Sequence, residues 1–104
     1  LTPAYWQTLA REYAAIAGAT TDQLRRGRQS YGKLPLVVLT PGGHGPLTEQ
    51  AQAQLAAWMA AHDALAAKSS AGSNELVLGS GHLLMRDQPE VVIEAVTAMI
   101  KAAR

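Results

Sequence analysis

The strongest constraint on this chain is the stretch from Glu75 to Glu90, E-L-V-L-G-S-G-H-L-L-M-R-D-Q-P-E. Leu76, Val77 and Leu78 form a short apolar run behind polar Asn74 and Glu75, which reads as a buried strand rather than a half-exposed one. Gly79-Ser80-Gly81 ends that strand, because two glycines accept backbone angles that other residues avoid. His82 follows at once, where the strand's carboxyl end opens into a loop. Asp87-Gln88-Pro89-Glu90 then reads as a helix start: Asp87 is placed to cap, Pro89 fits a first turn where its missing N–H costs nothing, and Glu90 reaches back to the cap. A histidine therefore sits between a buried strand and a helix, at the strand end where open α/β sheets place their chemistry.

The rest of the chain supplies partners for that strand. Leu34-Pro35-Leu36-Val37-Val38-Leu39-Thr40 reads as an earlier strand, with Pro35 near its start, where a strand tolerates it. Pro41 to Pro46 holds too many breakers for anything but a loop, and it carries His44. From Thr48 to Lys68 an alanine-rich helix is expected, with Leu55, Trp58, Met59, His62 and Leu65 along one face. Ser69 to Asn74 reads as a turn into the second strand. The expected order is strand 34–40, helix 48–68, strand 75–79 and helix 88–102, with parallel strands joined by a right-handed crossover. The last helix is expected to bury Val92, Val96, Met99 and Ile100. Upstream, Thr2 caps and Pro3 opens an amphipathic helix over 3–17 with Trp6, Leu9, Tyr13 and Ile16 on one face, and Gly18 as a left-handed stop. A second helix is expected from Thr20 or Thr21 to about Tyr31. The fold class is α/β.

Composition narrows the function classes. At 104 residues the chain is one domain at most, and alone it would bury ~65% of its unfolded surface. A net charge of +1 gives no reason to expect a nucleic acid or an anionic membrane as partner. No run approaches the ~18 apolar residues of a membrane span. There are no cysteines, hence no thiolate chemistry. Arg25, Arg26 and Arg28 cluster without an aromatic or a glycine-rich loop beside them, which reads as a solvated helix face. His44, His62 and His82 share no metal-ligand spacing. His44 reads as a solvated loop residue, and His62 as a packed, hydrogen-bonded helix residue whose neighbour Asp63 is solvated.

Ser80-Gly81-His82 followed by Asp87-Gln88-Pro89-Glu90 resembles the C-terminal end of an α/β-hydrolase. In that family the last strand is followed by a small-residue turn, the catalytic histidine and a final helix. The likeness extends over about residues 34–104, and the run 34–40 resembles the preceding strand. It implies the C-terminal strand–helix–strand–helix segment of a parallel hydrolase sheet, with residues 1–33 a helical segment compatible with part of a cap region. It also implies hydrolysis of serine esterase or lipase type on a small-molecule substrate. His82 would be the catalytic base, and no cofactor or metal is called for.

Most of a catalytic triad is missing. The nucleophile elbow of such enzymes has the pattern G-x-S-x-G, and Ser30, Ser69, Ser70, Ser73 and Ser80 all lack it. No carboxylate follows Thr40 until Glu49, and neither Glu49 nor Asp63 is well placed as the acid. The chain also opens on Leu1 rather than methionine. The expectation is a C-terminal fragment, inactive in isolation, whose partner is the remainder of the hydrolase carrying nucleophile, oxyanion hole and acid. The alternative is a small non-catalytic α/β interaction module.

Overall fold

The computed structural model describes residues 1–104. In chain order it contains helices α1 (Pro3–Ala17) and α2 (Ala19–Arg26), strand β1 (Leu36–Pro41), helix α3 (Glu49–Ala66), strand β2 (Gly72–Val77) and helices α4 (Leu84–Asp87) and α5 (Pro89–Ala102). The architecture is α/β in the general sense: a two-stranded parallel sheet with helices around it. The pairing runs from Leu36 opposite Gly72 to Pro41 opposite Val77.

Helix α3 begins where its cap requires. The Thr48 hydroxyl accepts the Ala51 N–H at 3.2 Å, which satisfies one of the four amides a helix start leaves free. The helix packs on both strands. Its exit is tied to the chain before β1: the Tyr31 N–H donates to Lys68 O at 2.7 Å and the Ser70 N–H to Gly32 O at 2.8 Å. The Ser69 hydroxyl also donates to Leu34 O. Beyond the strands, Gly42 N–H donates to Val77 O and Gly79 N–H to Gly43 O, and Gly43 bridges Ser80 in antiparallel sense. The loops after the two strands are thereby stitched together, which fixes the floor of the site.

Several expectations are corrected. Strand β2 starts at Gly72 inside the segment read as a turn, and it stops at Val77, so Leu78 and Gly79 lie outside it. Its polar first half stays in the ladder because Asn74 turns inward and finds side-chain partners on β1 and α3. Helix α2 ends at Arg26 rather than near Tyr31, since the Gln29 amide donates to Arg25 O and Gly27 O and closes the chain off. Gly18 has φ of −123°, so it is no left-handed stop. Thr2 does cap α1, accepting from Tyr5 N–H.

The apolar faces of α1 and α5 are only partly covered: Leu9 of α1 and Val92 and Met99 of α5 are half-buried. Trp6, Tyr13 and Ile16 are exposed on α1, and Val96 and Ile100 on α5. Helix α1 packs chiefly on α2. Buried residues number only six, and the most enclosed side chains are the hydroxyls of Thr40 and Ser80.

Candidate functional site

Beyond the carboxyl ends of β1 and β2 lies a cleft of about 490 Å³, within the size range of small-molecule sites. Leu39, Pro41 and Leu84 give it apolar walls, and Trp58, His62 and His82 line it with rings. Each side chain arrives by a different route. Thr40 and Pro41 end β1, and His82 stands on the loop after β2. Trp58 and His62 are four residues apart on α3 and so share one helix face, with ring centroids 5.5 Å apart.

The loop carrying His82 is clamped from behind. Asp87, at the end of α4, accepts the Gly81 N–H at 2.9 Å, and the Gln88 amide donates to Gly79 O at 3.2 Å. The same carboxylate accepts from Arg86 Nε at 3.2 Å and lies 3.4 Å from His44 Nε2. The Gly81 amide, then the Arg86 guanidinium, hold the Asp87 carboxyl below the ordinary carboxylate value. Asp87 is therefore not the cap of α5, as its place in D-Q-P-E suggested. The cap position falls to Gln88 and carries no side-chain bond, because the Asp87 side chain is already committed to the loop. Pro89 does sit in the first turn.

His82 is exposed, and its ring contributes to the cleft wall. No carboxylate of the chain pairs with it, and none lines the cleft. Glu49 lies in the first turn of α3, and Asp63 bonds Asn74 rather than a histidine. Ser80 is fully buried, and its hydroxyl donates to Gly81 O. It touches no base and cannot serve as a nucleophile from there. His44 is exposed, held only at the Asp87 carboxylate.

His62 is the residue whose surroundings exceed expectation. Its Nδ1 lies 2.7 Å from the Thr40 hydroxyl, and that hydroxyl donates to Asn74 Oδ1, also at 2.7 Å. The Asn74 amide donates to Asp63 Oδ1 at 3.0 Å. Four side chains from α3, β1 and β2 thus form one chain of hydrogen bonds ending at the cleft. Sequence reading put His62 on the inward stripe and in a hydrogen bond, and both hold. Its partners could not be read, since they depend on strand register. Asp63, read as solvated, is exposed yet anchors the chain.

No protein-family model, curated protein or solved structure matches this chain.

Proposed function

We propose that this chain is the C-terminal portion of an α/β-hydrolase-fold enzyme, of serine esterase or lipase type, in which His82 is the general base. The observation carrying this reading is the position of His82. It lies on a clamped loop just past the carboxyl end of β2, beside a parallel β1, at the mouth of a cleft of small-molecule size. In open α/β sheets that edge is where substrates bind. Residues 1–33 fit a cap segment, because α1 packs chiefly on α2 rather than on the sheet.

The chemistry follows from what an imidazole does. A ring nitrogen of His82 takes the proton from the attacking hydroxyl as the tetrahedral adduct forms, and returns it to the leaving alcohol. It then deprotonates the water that releases the acyl group. The nucleophile, the oxyanion donors and the acid that orients the ring belong to the remainder of the protein. Exposed apolar surface on α1 and α5 supports such a remainder. The same surface favours a second reading, a non-catalytic interaction module.

One substitution separates them. His82→Ala in the complete protein, with folding checked by circular dichroism, is expected to lower kcat on a p-nitrophenyl ester by roughly 10³-fold or more. Unchanged turnover in the folded variant, or no turnover in the parent, contradicts the hydrolase reading.

A further inference from the structure

We propose that the cleft binds a small uncharged molecule with an apolar or aromatic body and one hydroxyl or N–H donor, which His62 Nε2 accepts. This goes beyond the assignment of His82 and does not depend on it.

The inference starts at Asp63. A carboxylate can only accept hydrogen bonds, so the Asn74 group facing it must be the NH₂ donor. The Asn74 carbonyl oxygen then faces Thr40 and must accept, which uses the single proton of the Thr40 hydroxyl. Thr40 Oγ1 has only lone pairs left for His62, so the His62 proton resides on Nδ1. In the neutral ring Nε2 is therefore a bare acceptor. It has no partner within the protein, and with Nδ1 tied inward to buried Thr40, the edge bearing Nε2 is the one left for the cleft. Three hydrogen bonds in series thus set the tautomer.

What would bind follows from the walls. Leu39, Pro41 and Leu84 offer apolar contact, and Trp58 offers a ring face beside His62. No lysine or arginine lines the cleft, so beside neutral histidines an anionic group would meet no fixed positive charge there. A carboxylate would also set lone pairs against the lone pair of Nε2. An alcohol, phenol or amide N–H meets that lone pair with a proton. Selection for a neutral donor thus comes from both attraction and exclusion.

The test uses the full chain with ¹⁵N-labelled histidine and three probes of one shape: benzyl alcohol, benzoate and toluene. Long-range ¹H–¹⁵N spectra are expected to show neutral His62 protonated on Nδ1. Asp63→Lys, at an exposed position, replaces the acceptor by a donor. It should turn the Asn74 amide over, reverse each bond in the chain and move the His62 proton to Nε2. Benzyl alcohol should shift the His62 Nε2 resonance and bind at least about tenfold more tightly than benzoate. His62→Phe should remove its advantage over toluene while toluene binding persists. A proton found on Nε2 in the parent protein overturns the relay, and equal or absent binding of benzyl alcohol and benzoate overturns the ligand class.

Discussion

The carboxylate of Asp87 gathers two donors, the Gly81 amide and the Arg86 guanidinium, with the His44 ring 3.4 Å away. That arrangement makes the His82 loop sensitive to acid. Because the folded-state pKa is lowered, the unfolded chain binds the proton more readily. The stabilising contribution is fully present above the ordinary carboxylate value of 3.8 and is lost as pH falls through the lower folded value. The Gly81 amide resonance, followed on acidification, should titrate with a midpoint below 3.8. A midpoint at or above that value would show that the clamp contributes nothing. The placement of His82, on a loop between a strand and a helix, could be read in the sequence because the glycines and the flanking elements are local signals. The clamp could not, since D-Q-P-E is also a sound local cap, and only the return of the chain brings Gly81 to the carboxylate. The His62 relay was hidden more deeply, as Thr40 and Asn74 meet across 34 residues through a pairing that no local pattern encodes.

Among the elements, the long helices α1, α3 and α5 were the most legible, α4 was not foreseen, and β2 was displaced from its expected span. Thr48 and the long alanine-rich stripe define α3 without reference to anything else, and its bounds fall within two residues of expectation. Strand β2 draws its first half from Gly72, Ser73, Asn74 and Glu75, residues poor in strand propensity, so tertiary pairing with β1 overrides the local preference. Gly72 is where that pairing is most exacting. A Cβ placed there would lie 1.9 Å from Ala66 O, so the end of α3 and the start of β2 could not both keep their positions. Gly72→Ala should therefore cost at least about 2 kcal/mol in urea unfolding. Gly45 makes the useful contrast, with φ of +80° and nothing near its missing Cβ. Its alanine variant bears only the backbone penalty, about 1 kcal/mol. If Gly45→Ala proved the more damaging of the two, the close packing of α3 on β2 would be wrong.

At the scale of the whole molecule, surface area outweighs every local feature. The chain exposes 8010 Å², against about 5,600 Å² for a compact monomer of its mass. Its radius of gyration is 16.9 Å, where a compact domain of this length has about 13 Å. The helical periodicity of α1 and α5 was read correctly as amphipathic. A two-stranded sheet is too small to cover them: α1 meets chiefly α2, α5 touches β1, and much of both apolar faces stays exposed. On α5, Ile93, Val96 and Ile100 follow the i, i+3, i+7 spacing of one face and are 63%, 51% and 51% exposed. Water-facing stripes of this kind drive association, because burying each isoleucine removes about 1.5–3 kcal/mol of unfavourable hydration. The 104-residue chain by itself should therefore sediment as species larger than its 11.0 kDa monomer. Replacing Ile93 and Ile100 together by lysine should return it toward the monomer. Helical circular dichroism should persist, since lysine is a good helix former and neither position is buried. A parent chain that stays monomeric at every concentration would mean that these faces are closed in solution by packing within the chain, and that the open arrangement of α5 around the sheet is not the one the free chain adopts.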